Sequence, residues 1–341
     1  MEARFLMTTT NEIEDTVLTA YAPASIGNVS LGFDLLGAAL KPIDGSLLGD
    51  QVELRQAETF SLQVLGEFAD KLPTDPDSNI ISQCYRHFID VLRARYGKSI
   101  ALPAVSMTLH KNLPIGSGLG SSASSIVAAL HGLNEFYAKV LDVGSMGDKP
   151  FSDNQLLLMM GELEGQISGS VHYDNVAPCF LGGMTLMVEH QDNVAQSLPI
   201  FDNWYWVMCY SGINVSTAAA RNILPKQVSI LETIKFGRQL AVFVDALHRK
   251  DEKLAAAMMT DVIAEPYRKS LLPYFDESRL YAEKNGALAF GISGSGPTVF
   301  AVCNELSQAE SINQWLNQHY IQNDSGFSHI CQLDKRGAVV S

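Results

Sequence analysis

The sequence predicts an α+β protein built from about two domains. Its 341 residues fit roughly two domains of ordinary size. Segments with the two-residue period of strands and segments with the longer period of helices intermix along the chain, without a strict β-α-β alternation. A glycine-rich stretch, LPIGSGLGSSAS (113–124), joins a predicted strand to a predicted helix. We therefore expect layered sheets and helices rather than a doubly wound parallel sheet.

The first 140 residues predict mostly strands, with two helices among them. Residues 1–15 are expected to form a frayed tail. Strands are predicted in TVLTAYAP, which ends at Pro23, and in DQVELRQ, FSLQVLG and AVSMTLH. Ser78 is predicted to cap a helix that ends at Gly97, and a second helix is predicted over 121–140.

The rest of the chain alternates between both element types. DVGSMGDKPFSDN predicts a loop, residues 156–167 a helix and MTLMVEH a strand. The composition turns polar over 191–202, and WYWVMCY is then expected to open the second domain, so we divide the chain into 1–195 and 196–341. The later predicted elements are helices near 216–223, 227–249 and 251–263, two strands joined by a glycine loop in ALAFGISGSGPTVFAV, a helix in LSQAESINQWLNQHY and a last strand in HICQLDK.

Composition and charge exclude several classes of protein. A formal net charge of -13 argues against nucleic-acid and anionic membrane partners, because both need a basic surface. No run of about 18 apolar residues predicts a membrane span, and the N-terminus lacks the pattern of a signal peptide. Five scattered cysteines without a C-x-x-C pair suit a reducing compartment, and the absence of an H-E-x-x-H motif argues against a zinc site. We expect a cytoplasmic protein whose cysteines are buried.

The glycine-rich stretch predicts a phosphate site. Bare glycines let main-chain amides approach a ligand, and the start of the following helix adds unpaired N–H groups and a positive dipole end. The alternative is a flexible connector, which seldom joins a strand directly to a capped helix. No lysine follows Gly120 as a Walker A loop requires, Ser121 replaces the last glycine of a dinucleotide fingerprint, and no G-x-S-x-G hydrolase elbow occurs.

Five charged or titratable side chains outside this stretch are candidate ligand contacts, each with a structural alternative. Asp34 can meet an ammonium group or cap a helix that begins near Leu35. Glu164 can complete a Mg²⁺ shell or be an ordinary exposed glutamate, with Glu162 as a weaker rival. His172 can line a pocket or be purely structural. The two arginines, Arg221 and Arg268, can each grip a carboxylate or remain solvated.

Four stretches together resemble the GHMP small-molecule kinases. LPIGSGLGSSAS is similar to their phosphate loop, and this pattern is far more specific than a lone glycine triplet. The other three stretches are APASIGNVSLGFDLLGAAL (22–40), HYDNVAPCFLGG (172–183) and GISGSGPTVFAV (291–302). They occur in the family's order and span nearly the whole chain. The likeness is greatest to the branch of the family that phosphorylates homoserine.

This resemblance implies a fold, a reaction and a set of binding residues. The implied fold is an N-terminal domain like ribosomal protein S5 domain 2 (1–195) and a ferredoxin-like C-terminal domain (196–341), with the site between them. The implied reaction is ATP- and Mg²⁺-dependent phosphorylation of the L-homoserine hydroxyl on the route to threonine, and homodimers are common in the family. ATP would be bound by Pro114, Ile115, Gly116, Ser117, Gly118, Leu119, Gly120, Ser121, Ser122, Ala123 and Ser124. Mg²⁺ would be held by Ser122 and Glu164. The substrate would be bound by Asn28, Asp34, His172, Asn175, Thr217, Arg221, Arg268 and Gly294.

The catalytic base is the part of the reaction that the sequence leaves open. Mevalonate kinase and galactokinase carry an aspartate where this chain has Asn175, counted back from Gly182 and Gly183. An amide cannot accept a proton, so Asn175 is assigned only the orientation of the hydroxyl, and Asp174 is the neighbouring alternative. The competing functions are another kinase of the family acting on mevalonate or a sugar, a non-catalytic ATP or metabolite sensor, and a nucleotide-dependent oxidoreductase.

Overall fold

The computed structural model describes residues 17–341 apart from 74, 99, 142–148, 191 and 192. The predicted tail over 1–15 and the first half of the predicted loop over 142–154 lie outside the described residues. The described strands are β1 (Leu18–Pro23), β2 (Ser25–Gly27), β3 (Leu36–Pro42), β4 (Gly49–Ala57), β5 (Ser61–Leu65), β6 (Ala104–His110), β7 (Met184–His190), β8 (Asn193–Leu198), β9 (Tyr205–Tyr210), β10 (Ala289–Ile292), β11 (Val299–Cys303), β12 (Phe327–Leu333) and β13 (Val339–Val340).

The helices occupy both halves of the chain. They are α1 (Ile80–Tyr96), α2 (Ser121–Val140), α3 (Asp153–Ser168), α4 (Val176–Leu181), α5 (Thr217–Asn222), α6 (Ile230–Arg249), α7 (Glu252–Met258), α8 (Glu265–Arg268), α9 (Phe275–Lys284) and α10 (Leu306–His319). None of these described helices is long and apolar enough to cross a lipid bilayer. The five cysteines are buried and free, as predicted.

The first sheet has the strand order β13-β1-β4-β6-β5. Its strands pair antiparallel except β5 and β6, which run parallel. Val105, Met107 and Leu109 alternate along β6 as fully buried side chains, because one face of the sheet packs on helices while the other face is more open. The helices against this face are α1, α2, α3 and α4, and they share one hydrophobic core with it. The glycine-rich stretch leaves this layer at the end of β6 and returns to it as α2.

The second sheet has eight strands drawn from both halves of the sequence. Its order is β10-β11-β9-β12-β3-β7-β8, and β2 also pairs with β3. The predicted boundary between residues 195 and 196 falls inside β8, a strand that the polar composition did not predict. The assignment of two domains with that boundary stays a prediction. The predicted α+β class is confirmed, since layered sheets and helices are present without a doubly wound order.

The predicted cap of helix α1 was wrong, and the structural alternative considered for Asp34 is not realised. Helix α1 is capped by Asn79, whose Oδ1 accepts the Ile81 amide at 2.9 Å, whereas Ser78 lies in a preceding 3-10 turn. Asp34 caps no helix, because the chain from Leu36 enters strand β3. The apolar run after Asp34 is buried on both sides, and buried runs of this length fit strands as well as helices.

Candidate functional site

The glycine-rich stretch forms the turn between β6 and α2. Gly116, Gly118 and Gly120 have φ angles of 67°, 81° and 65°, a left-handed conformation that glycine adopts without strain. A methyl group on Gly118 would lie 2.4 Å from the Ser293 carbonyl oxygen, and one on Gly120 would lie 2.1 Å from Ser25 Oγ. The stretch therefore needs glycine both for its backbone angles and for its close contacts with other loops.

Five consecutive carbonyl groups of this loop are hydrogen-bonded to other parts of the fold. The acceptors and their donors are Ile115 with Asn214 Nδ2 (2.8 Å), Gly116 with the Val215 amide (3.1 Å), Ser117 with the Thr298 amide (3.1 Å), Gly118 with Ser293 Oγ (2.7 Å) and Leu119 with the Ser25 amide (3.1 Å). The loop is thus held by its oxygen atoms from three separate segments. This arrangement fixes the loop through its carbonyl groups, and among its amides that of Leu119 donates to Ser117 Oγ at 3.3 Å.

The loop amides are available to an anion. Within the described chain, no residue accepts a hydrogen bond from the amides of Gly116, Gly118 or Gly120. The amides of Ser121 and Ser122 open helix α2, where intrahelical acceptors are lacking. Such a set of converging donors at a helix start suits a phosphate chain.

Not every residue of the predicted phosphate set offers a free group. Ser124 donates its hydroxyl to the Ala22 carbonyl at 2.7 Å and its amide to the Gly120 carbonyl at 2.8 Å. Ser121 donates its hydroxyl to the Leu113 carbonyl at 3.1 Å. Ser124 therefore supports the loop from behind, and only the backbone of Ser121 faces a possible ligand.

A buried ion pair anchors both ends of the loop. Asp50 and Lys111 are almost completely buried and contact each other directly. Asp50 Oδ1 accepts the Leu113 amide at 3.0 Å, before the loop, and Lys111 Nζ donates to the Ser121 carbonyl at 2.9 Å, after it. Neither charge was singled out from the sequence, because a lysine preceding a glycine loop has no distinctive spacing.

Ser122 and Glu164 meet, as the predicted metal pair requires. Ser122 Oγ donates to Glu164 Oε1 at 2.7 Å. Glu164 Oε2 is buried, and burial raises the pKa of this carboxyl group, while the Ser122 hydrogen bond and the Lys111 charge oppose that shift. A hydroxyl and a carboxylate beside a phosphate site are oxygen ligands of the kind that Mg²⁺ prefers. These two residues therefore fit the ion.

The stretch over 22–40, which is the first motif shared with the GHMP kinases, contains a left-handed turn. Asn28, Val29 and Ser30 all have positive φ angles, 70°, 46° and 64°, which is uncommon outside glycine and most of all for a β-branched valine. Both polar atoms of the Asn28 side chain stabilise this turn. Its Oδ1 accepts a hydrogen bond from the Asp34 backbone N–H at 2.9 Å, and its Nδ2 donates one to the Gly294 carbonyl at 3.3 Å. Strained backbone of this kind is concentrated at functional sites.

Asp34 and Arg221, predicted to contact opposite ends of a substrate, contact each other. The guanidinium donates from Nη2 to Asp34 Oδ1 at 2.9 Å and from Nη1 to Oδ2 at 3.2 Å. His172 Nδ1 lies 3.8 Å from Asp34 Oδ2. Both members of the pair are partly exposed, so a ligand can reach them. Thr217 lies one turn before Arg221 on α5 and is exposed.

Arg268 is buried directly behind this pair. Its Nη1 donates to the Gly294 carbonyl at 2.8 Å and its Nε to the Ala220 carbonyl at 3.2 Å. The Phe33 ring lies 5.3 Å from the Arg268 guanidinium and 5.6 Å from that of Arg221, within the range of cation–π attraction. Phe33 was missed from the sequence, although it stands immediately before Asp34.

Asp174 and Asn175 lie between the first motif and the phosphate loop. A methyl group on Gly27 would lie 2.6 Å from Asp174 Oδ2 and 2.8 Å from Asn175 Nδ2. Asn175 Oδ1 accepts a hydrogen bond from Ser25 Oγ at 2.9 Å. Burial raises the pKa of Asp174 to about 7, helped by the negative charges of Asp34 and Glu164. Ser25 is a further residue that the sequence analysis did not single out, although it lies in the stretch over 22–40.

Two models of one protein family match separate parts of the chain. Residues 79–183 match the GHMP kinases N terminal domain, and residues 243–322 match the GHMP kinases C terminal region. The crystal structure of homoserine kinase from Cytophaga hutchinsonii is 30% identical in sequence with a TM-score of 0.83, and the match covers 98% of this chain and 100% of that one. The chain belongs to the GHMP kinase family. The resemblance found in the sequence is thereby confirmed.

Other GHMP kinase structures share the fold at lower identity. The mevalonate kinase from Methanococcus jannaschii is 16% identical with a TM-score of 0.64, over 93% of this chain and 98% of that one. The L. major mevalonate kinase in complex with R-mevalonate is 16% identical with a TM-score of 0.60, over 98% and 100%. At this identity the likeness shows the fold alone. Members of the GHMP kinase family are small-molecule kinases that use ATP.

Proposed function

We propose that this protein is a homoserine kinase, which transfers the γ-phosphoryl group of ATP to the hydroxyl of L-homoserine and supplies O-phospho-L-homoserine for threonine synthesis. The observation that carries the proposal is the Asp34–Arg221 ion pair, partly exposed beside the two glycine loops. The 30% identical homoserine kinase supports the same assignment. A homodimer belongs to the proposal through the family resemblance, and a cytoplasmic location belongs to it through the cysteines and the sequence composition.

The ion pair explains why the substrate would be a zwitterion. Asp34 and Arg221 neutralise each other before a ligand binds. An amino acid offers one ammonium and one carboxylate group. Asp34 would exchange the Arg221 guanidinium for the ligand ammonium, and Arg221 would exchange the Asp34 carboxylate for the ligand carboxylate. Arg268 behind Arg221 would be a second cation for that carboxylate. Mevalonate offers only a carboxylate and galactose no charge, and either would leave Asp34 without a cation from the ligand.

The remaining predicted substrate residues would surround the same amino acid. Asn28 and the Gly294 backbone form the wall on one side. His172 stands near Asp34, and Thr217 is on the exposed face of α5. Asn175 would direct its amide N–H₂ toward the hydroxyl that reacts.

ATP would be bound through the loop over 114–124, chiefly by main-chain amides. Ser122 and Glu164 would hold Mg²⁺, which when bound supplies positive charge to the phosphate oxygens. The protein's own part is to fix the phosphates and the alcohol in line and to exclude water, and positioning of this kind accounts for much of the rate in phosphoryl transfer.

A substrate panel tests the proposal. ADP production is followed with L-homoserine, mevalonate and galactose, and with two homoserine analogues, 4-hydroxybutyrate without the ammonium group and 2-amino-1,4-butanediol without the carboxylate. We expect homoserine to have the highest kcat/KM and each analogue to lose about 100-fold or more, as sites with buried polar groups discriminate strongly. Faster turnover of mevalonate or galactose would reassign the substrate, and a protein that makes no ADP with any alcohol would be a sensor rather than a kinase.

A further inference from the structure

The Phe33 ring contacts two arginine side chains and has no role in the binding scheme proposed above. The centre of the ring lies 5.3 Å from the guanidinium carbon of Arg268 and 5.6 Å from that of Arg221. Both distances are within the range of cation–π attraction. In the contacts of Arg95 and Arg279, by contrast, one guanidinium group approaches two rings. Phe33 therefore connects the two cations that are assigned to the substrate carboxylate.

The backbone that presents Phe33 is fixed by hydrogen bonds within its own turn. The Asn28 carbonyl accepts the Gly32 amide at 2.8 Å, and the Gly32 carbonyl accepts the Leu35 amide at 2.8 Å. Phe33 stands between these bonds and is partly exposed, and Asp34 follows it with a positive φ angle of 58°. The ring therefore has a defined position next to the Asp34 carboxylate.

The positive charges of the two arginines disfavour each other. Burial lowers the pKa of the Arg268 guanidinium, the Asp261 carboxylate opposes this shift, and the positive charge of Arg221 adds to it. Asp34 offsets the Arg221 charge through their ion pair. The face of an aromatic ring carries partial negative charge, so the Phe33 ring attracts both cations. It thereby reduces the cost of holding the two guanidinium groups close together.

The ring matters more to Arg221 than to Arg268. Arg268 is buried, and its Nε donates to the carbonyl of Ala220, the residue before Arg221, at 3.2 Å. Arg221 is partly exposed, and the hydrogen bonds, ion pair and cation–π contact of its guanidinium group involve two described residues, Asp34 and Phe33. Once Asp34 binds the ammonium group of a ligand, Phe33 is the contact of these two that still holds Arg221 beside Arg268.

We propose that Phe33 is a positioning residue for substrate recognition, whose ring holds the guanidinium groups of Arg221 and Arg268 together so that one substrate carboxylate meets both. The assignment rests on the proposed function, because it needs a substrate that carries a carboxylate. It makes a residue outside the predicted binding set responsible for part of the specificity.

The test removes the ring and follows one functional group of the substrate. It uses the carboxylate-bearing alcohol that wild type prefers in the substrate panel, L-homoserine or mevalonate, and the analogue in which a CH₂OH group replaces the carboxylate. We expect Phe33→Leu to lower kcat/KM for the carboxylate substrate by about 10-fold or more, and for the analogue by less than about threefold.

The matched control is Phe60→Leu. The Phe60 ring is partly buried and stacks on Tyr85 with the ring centres 4.2 Å apart, in the first layer of the fold. This variant also loses a phenyl ring, but the lost contact is with another ring rather than with a cation. It should change kcat/KM for both compounds by less than about twofold, because its ring contacts no residue of the site.

Aromatic replacements at residue 33 separate the charge on the ring face from the bulk of the side chain. Phe33→Tyr keeps the ring and should keep kcat/KM for the carboxylate substrate within about threefold of wild type. Trifluorophenylalanine in place of Phe33 keeps the shape but withdraws electrons from the ring face, and it should lower this kcat/KM by about threefold or more. This measurement decides the question even where Phe33→Leu does not fold.

Two results would overturn the assignment alone. One is an equal loss with the carboxylate substrate and with its analogue in Phe33→Leu, which would make the ring a general packing element of the site. The other is an unchanged kcat/KM with trifluorophenylalanine, which would show that the cations do not depend on the ring face. A wild-type protein that prefers mevalonate, or phosphorylates only alcohols without a carboxylate, would instead overturn the proposed substrate, and the second of these outcomes would remove the role of Phe33 as well.

Discussion

At the scale of single residues, the buried carboxylate of Asp174 makes the stability of the fold depend on pH. Its carboxylate is enclosed near two other acids, Asp34 and Glu164, so the ionised form is disfavoured in the folded protein. In the unfolded chain the same group ionises with its ordinary pKa. The folded protein therefore has to accommodate a charge that the unfolded chain solvates freely.

Replacing Asp174 by asparagine is expected to stabilise the fold above neutral pH. The pKa of about 7 in the folded protein lies well above the ordinary pKa of an aspartate, which the unfolded chain retains. The neutral acid thus contributes stability at low pH that is lost as pH rises from the unfolded pKa through the folded one. A tenfold difference between the two acid constants corresponds to about 1.4 kcal/mol. Asparagine cannot ionise, so we expect the variant to exceed wild type by more than about 1 kcal/mol at pH 8 and by less at pH 5, measured by urea unfolding.

The control for this measurement is Asp202→Asn. The Asp202 carboxylate is 70% exposed, so the free energy of unfolding of this variant should differ from that of wild type by no more than a few tenths of a kcal/mol at either pH. An equal offset between Asp174→Asn and wild type at both pH values would show that burial does not perturb this group.

Residue types were easier to predict from the sequence than residue partners. Asp34 and Arg221 are both predicted ligand contacts, yet they are 187 positions apart and the sequence gives no sign that they pair. Counting along the chain favours Asn175 over Asp174. The burial of Asp174 near Asp34 and Glu164 depends on how three segments pack together, which counting cannot show.

At the scale of elements, the glycine loop was predictable because its chemistry is local. Strand, glycine turn and helix are consecutive, and the left-handed angles of this turn are ones that glycine adopts without strain. The predicted cap of α1 was wrong, and the helix considered as an alternative after Asp34 is a strand, for a related reason. A capping residue one position away and a buried apolar run are compatible with more than one local structure.

A comparison of Gly118→Ala with Gly45→Ala separates the two reasons for glycine in the loop, the left-handed backbone angle and the close contact with Ser293. Gly118 and Gly45 have nearly equal φ angles, 81° and 83°, but a methyl group meets the Ser293 carbonyl at 2.4 Å in the loop and nothing within 4 Å at Gly45. We expect Gly45→Ala to cost about 1–2 kcal/mol from backbone strain alone. Gly118→Ala should cost clearly more and should shift the loop away from its anion-binding geometry.

Urea unfolding measures the loss of stability, and the rise in Tm on adding ATP with Mg²⁺ measures the loss of anion binding. ATP with Mg²⁺ should raise the Tm of wild type and of Gly45→Ala, whereas NAD should not, and Gly118→Ala should lose most of the ATP shift. If Gly118→Ala matched Gly45→Ala in both measurements, the loop would not depend on its contact with the second glycine loop.

At the scale of the whole molecule, the chain closes on itself through its last strands. Strand β12 pairs with β3, with Leu333 opposite Leu40, and β13 pairs with β1, with Val340 opposite Ala20. Both sheets therefore contain residues from the two ends of the sequence. Periodicity predicts several of the strands, but it carries no information about which strands are neighbours, so the shared sheet could not be predicted from composition or from the polar region near residue 195.

This topology predicts that residues 1–195 cannot fold as an independent unit. Removing 196–341 would leave β3 without β12, β1 without β13 and β8 cut near its middle. It would also expose Leu40, which is completely buried in a core that includes Trp206 from the second half. The fragment would then present long unpaired strand edges and an apolar face to water, which favours aggregation over folding.

Urea unfolding of the fragment and of the full chain checks this expectation. We expect the full chain to unfold in one cooperative transition, because the second sheet and its core cross the predicted boundary. The fragment over 1–195 should give no cooperative transition and weak near-ultraviolet circular dichroism. A fragment that unfolds cooperatively would establish residue 195 as a true domain boundary, and it would mean that the pairing of β3 with β12 contributes little to the stability of the N-terminal half.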